Sequence, residues 1–110
     1  MLDITNDVNR ELARSGVQAG LVYITPEGSE PTIVRVNERE SGFFSDLEAM
    51  LDRIVPAGAR DRARLLLALL GPRTEQVPFV DGRLCLGTWQ RVLLFGFGDL
   101  RADWSLTILG

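Results

Sequence analysis

The chain has 110 residues, enough to enclose one hydrophobic core and too few for two, and its 45% hydrophobic and 25% charged content is ordinary for a globular domain. A net charge of −3 disfavours a polyphosphate partner, so no nucleic-acid binding is expected. All 12 basic residues are arginine, and the absence of lysine and histidine beside a single cysteine excludes Schiff-base lysines, imidazole bases, histidine ligands, an internal disulfide and a multi-thiolate zinc site.

Residues 3–15 read as a helix. Ile4, Val8 and Leu12 recur at four-residue spacing, Asp3 or Thr5 can cap it, and Gly16 is a natural stop. Residues 21–25 form a short buried strand ended by Pro26-Glu27-Gly28, and residues 32–37 a second strand rich in β-branched side chains. A second helix is predicted over 41–55, with Phe43, Leu47, Met50, Leu51 and Ile54 on one stripe and Pro56 closing it. A third spans 60–70 and stops at Gly71-Pro72. The remainder reads as β: 75–80, an Asp81-Gly82 hairpin turn, 83–86, 91–97 and 102–109. In the last segment Trp104, Leu106 and Ile108 alternate with Ser105 and Thr107, so one face is expected to be buried. The expectation is one α+β domain over residues 1–110, a largely antiparallel sheet with about three helices. No apolar run reaches the roughly 20 residues of a membrane span, and residues 1–7 lack a basic segment followed by an apolar one. A cytoplasmic location without membrane contact is therefore expected.

Candidate sites are few. Asn37-Glu38-Arg39-Glu40, with Asp46 nearby, is a dense carboxylate cluster that could hold a hard cation; a solvated loop and helix start accounts for it better, and no metal is expected. Gly96-Phe97-Gly98-Asp99 lacks the following helix and lysine of a phosphate cradle and reads as a bulge and turn. Gly87-Thr88-Trp89-Gln90 could line a pocket, or could start a strand that packs Trp89 into the core or a subunit contact. Cys85 reads as a small buried hydrophobe in a strand. Arg60, Arg62 and Arg64 lie at the first turn of the third helix, the wrong end for cations, and read as a solvated or interface-rim cluster. At 100° per residue, Leu65, Leu66, Leu67 and Leu70 spread round the third helix and, with Leu69, leave no polar face over its last two turns. Such a helix is either enclosed between layers or turned toward another chain, and Leu65, Leu66, Leu67, Leu69 and Leu70 are the expected contact.

Several segments resemble the YjbQ-type family of small trimeric α+β proteins. Gly82-Arg83-Leu84-Cys85-Leu86-Gly87-Thr88-Trp89-Gln90 is similar to that family's G-R-L-x-L-G-T-W-Q signature. Asp3-Ile4-Thr5-Asn6-Asp7-Val8 resembles its opening helix, and Val34-Arg35-Val36-Asn37-Glu38 its strand-to-loop motif. Residues 47–56 resemble its L-x-x-x-L-D-R-x-V-P helix and Leu69-Leu70-Gly71-Pro72 its L-L-G-P, so the likeness runs in order along nearly the whole chain. The resemblance implies a homotrimer and, through members linked to thiamine phosphate synthase activity, an enzyme ancestry.

The departures from the family fall on its chemistry. The histidine of the P-H-T-T-A motif aligns with Gly28-Ser29-Glu30-Pro31-Thr32, and in the A-H-x-K-x-x-L-L-G helix histidine is replaced by Arg64 and lysine by Leu66. A loop with a Y-x-H-D-like element is shortened to Ala57-Gly58-Ala59, and the strand before D-I-T is missing. Neither serine nor a permanently protonated guanidinium can replace an imidazole. The expected protein is a non-catalytic scaffold on a trimer, diverged or redesigned to assemble further through residues 65–70, with no catalytic residue and no cofactor. The alternatives are a residual thiamine phosphate synthase-like enzyme and a small-ligand module, drawing on Glu38, Asp46, Arg64, Thr88, Trp89 and Gln90.

Overall fold

The opening helix forms as α1 (Thr5–Ser15), burying Thr5, Val8 and Leu12 and leaving through Gly16 at φ 75°. The two-residue strand β1 (Leu2–Asp3) precedes it. Then come β2 (Ala19–Pro26), β3 (Thr32–Glu38), α2 (Ser41–Ile54), α3 (Arg62–Leu70), β4 (Glu75–Val80), β5 (Arg83–Leu84), β6 (Gln90–Gly96) and β7 (Trp104–Leu109). The structure, a computed structural model, describes residues 1–28, 32–96 and 103–110. The expected turn at Gly96-Phe97-Gly98-Asp99 and the segment Gly28-Ser29-Glu30-Pro31-Thr32 lie partly outside the described residues.

The expected single α+β domain forms, but its strands divide between two sheets, ordered β1-β6-β3 and β5-β4-β2-β7, with every neighbouring pair antiparallel. Their inner faces share one core: Val34, Val92 and Leu94 from the first sheet, Val22, Ile24, Val77 and Phe79 from the second, and Ile4, Val8 and Leu12 from α1 and the residue before it. Strand β6 buries Val92, Leu93 and Leu94 in succession, the run expected of a central strand covered on both faces. On the far face Phe44 of α2 packs on Phe95, ring centroids 4.6 Å apart.

The hairpin between β4 and β5 turns through Asp81 and Gly82 at φ 55° and 70°, the two positive angles of a type I′ turn. Alternation along this hairpin turns Phe79 and Leu84 inward and Val80 outward. Cys85, whose N–H donates to the Pro78 carbonyl, is exposed rather than buried as its apolar neighbours suggested. Gly20, at φ 152°, is required by crowding: a Cβ there would overlap the Leu109 carbonyl.

Helices α2 and α3 have a small core of their own, built from Leu51, Val55 and Leu66 with Leu47, Ala59 and Leu70 against it. Arg62 donates to the Val55 carbonyl and pairs with Asp52, joining the two helices. Arg35 of β3 donates to the Leu70 and Pro72 carbonyls at 2.7 and 2.8 Å, satisfying acceptors left open at the end of α3. No helix among the described residues is long and apolar enough to cross a membrane.

Candidate functional site

The register of β3 against β6 places Glu38 directly opposite Gln90, bringing the end of the Val34-to-Glu38 segment against the Gly87-to-Gln90 segment. Between them lies a cleft of about 570 Å³ whose walls include Glu38, Arg39, Thr88 and Trp89, with Asp3 and Arg91. The local fold is set by a tight turn. Gln90 N–H donates to the Gly87 carbonyl, and the Gln90 Oε1 accepts from Gly87 N–H at 2.7 Å, leaving Thr88 and Trp89 at the tip. Trp89 is 74% exposed, so packing into the protomer core is ruled out for it.

The floor of the cleft is an ion pair. Arg91 Nε donates to Asp3 Oδ2 at 2.8 Å, while Asp3 Oδ1 accepts from the Thr5 N–H and hydroxyl at 3.1 and 2.7 Å. The Thr5 oxygen in turn accepts from Val92 N–H, locking α1 onto β6. Burial pushes the Asp3 carboxyl up, but the hydrogen bonds from Arg91 and Thr5 and the Arg91 charge outweigh it and hold the group below its ordinary value of 3.8. Asp3 is thus an ionised structural acceptor, poorly suited to acting as a base near neutral pH. The cleft sets three carboxylates, Asp3, Glu38 and Glu40, beside the guanidinium groups of Arg39 and Arg91, and Trp89 offers an indole face for stacking.

The residues singled out in the sequence separate. Glu38, Thr88 and Trp89 line the cleft, and Gln90 braces its turn. Asp46 and Arg64 do not line it: Asp46 is exposed on α2, and Arg64 is exposed on α3. The carboxylate cluster including Asp46 does not assemble, and among the described residues no group of three or more Cys, Asp or Glu could hold a metal ion. Asp3 and Arg91 were missed as site residues, because only the β1–β6 pairing makes these distant positions neighbours.

The expected outer face of α3 also needs correction. Leu66 is fully buried, because it is the residue of α3 that meets Leu51 and Val55; Leu67 and Leu70 are half-buried. Exposure is confined to Leu65 and Leu69, at 47% and 57%. With Ala68 they line an apolar groove of about 380 Å³ shared with Ile54, Pro56 and Ala59. Of the stripe read from the sequence on α2, Leu51 is buried and Leu47 half-buried, whereas Phe43, Met50 and Ile54 are exposed and Phe44 turns inward instead. The apolar surface therefore belongs to α2 and α3 together.

A family profile described as UPF0047 protein YjbQ-like matches residues 1–110. The chain is 37% identical over 111 residues to a UPF0047 protein of Archaeoglobus fulgidus, covering 92% of this chain and 83% of the relative. It is 34% identical over 101 residues to one from Methanothermobacter thermautotrophicus, covering 84% and 69%. Among solved structures, a hypothetical protein of Aeropyrum pernix superposes with a TM-score of 0.84 at 29% identity, covering 99% of this chain and 87% of the other. A YjbQ/UPF0047 family protein of Clostridium acetobutylicum does so with a TM-score of 0.83 at 26% identity, covering 98% and 89%.

Proposed function

Because the chain belongs to the YjbQ-like UPF0047 family, we propose that it is a non-catalytic, self-associating scaffold, a homotrimer in the cytoplasm able to pack into something larger. The carrying observation is the apolar surface of α2 and α3, where Phe43, Met50, Ile54, Leu65 and Leu69 are all close to half exposed or more. Leaving several large apolar side chains in water forfeits roughly 1.5–3 kcal/mol for each one that could be fully buried, which favours covering the face. The loss of catalytic machinery supports the same reading: a sequence with neither histidine nor lysine, Arg64 and Leu66 at family positions of chemistry, and a shortened loop at Ala57-Gly58-Ala59. Light scattering tests it. The expected mass is three times 12.2 kDa or a multiple of that, and a concentration-independent mass of 12.2 kDa refutes it.

A second reading, a small-ligand module, is favoured by the cleft between Glu38 and Trp89, where two family-like segments meet. A residual thiamine phosphate synthase-like activity would have to run without an imidazole and with Glu38 in the cleft but Asp46 and Arg64 outside it. Turnover of thiamine precursors above a heat-killed control, or stoichiometric zinc after dialysis, would overturn the non-catalytic reading. Neither is expected.

A further inference from the structure

The exposed surface of α2 carries two lines of side chains. Phe43, Met50 and Ile54 form an apolar line, and Ile54 opens into the groove with Leu65 and Leu69 of α3. Asp46 and Arg53, both exposed, form a second line on the side away from that groove. They are seven residues apart, which is two turns, so they sit about 10 Å apart on one stripe. Neither has a charged partner among the described residues.

That spacing is self-complementary. A two-fold axis perpendicular to α2, passing between Ala49 and Met50, sets α2 antiparallel on its own copy. The rotation keeps each line on its own side, so the apolar line of one protomer meets the apolar line of its partner. Along the charged line it brings Asp46 opposite Arg53 of the other copy, twice over. The charged line thus complements itself about an axis that passes beside Met50 of the apolar line, the condition for an isologous contact.

Resting on the reading of the α2–α3 face as a protein contact, we propose that this face joins two copies of the chain through an antiparallel α2–α2 pairing flanked by two Asp46–Arg53 ion pairs. If the underlying unit is the trimer, the result is an assembly of six.

Charge reversal tests the geometry. D46R and R53E each set like charges against one another. Each is expected to halve the parent mass in light scattering, with association weakened at least ten-fold, while far-UV circular dichroism stays unchanged. The double variant D46R/R53E restores opposite charges across the axis and is expected to recover the parent mass. Parent mass in both single variants, or no recovery in the double variant, overturns the two-fold pairing. Leu69→Glu separates this failure from that of the underlying reading. If Leu69→Glu shrinks the assembly while the charge variants do not, the face is a contact of another geometry and the two-fold pairing alone falls. If none of the variants changes the mass, both fall.

Discussion

Leu66→Ala discriminates between a core and a contact role for the leucine-rich helix. Leu66 is completely enclosed by a cluster whose other buried members are Leu51 and Val55. Truncating a buried leucine costs about 2.7–5 kcal/mol, rising with the cavity that remains. This cluster is small and bordered by half-buried side chains, so partial collapse puts the cost near the lower end, about 3 kcal/mol. With roughly 2.1 cal/mol/K per residue, 110 residues give an unfolding entropy near 0.23 kcal/mol/K, so the melting temperature should fall by about 13 °C. The assay is thermal unfolding followed at 222 nm, with light scattering on the same samples at equal protomer concentration, since association itself raises the melting point. The parent mass should be retained. A fall of less than 3 °C, or a smaller assembly with an unchanged melt, would refute the placement of Leu66 in the protomer core.

Asp3→Asn should destabilise the fold by about 1–3 kcal/mol at neutral pH, because Arg91 and Thr5 lose a charged acceptor; urea titration of both proteins measures it. The folded carboxyl lies below its ordinary 3.8, so its contribution is complete above that value and lost as pH falls through the lower folded value. The gap between parent and Asp3→Asn should therefore close on acidification, and a gap independent of pH would contradict the assignment. Arg35→Lys should cost about 1–2 kcal/mol in the same titration, since one ammonium cannot span the Leu70 and Pro72 carbonyls as the guanidinium fork does. Gly20→Ala should abolish soluble expression or lower the melting temperature by more than 10 °C, because its Cβ meets backbone at Leu109 rather than a side chain that can move.

Periodicity and turn chemistry alone determined most of the local elements, though not the short strand β1, nor that the strand expected over 83–86 stops at Leu84. The four-residue spacing of Ile4, Val8 and Leu12, the stop at Gly16, the Asp81-Gly82 turn and the alternation of the last strand all reappear. These are short-range preferences, written within a few residues of where they act. The motif order likewise sufficed to name the family. What required the tertiary structure was everything depending on which strand lies beside which. A strand pattern does not state its partner, so the division into two sheets and the Glu38–Gln90 register that forms the cleft were not legible. Nor was the Asp3–Arg91 pair, whose members are 88 residues apart. The leucine-rich helix shows the same limit: when nearly every side of a helix is apolar, composition cannot select the inward one. The docking of α3 on α2 made that choice, enclosing Leu66 and leaving Leu65 and Leu69 outside.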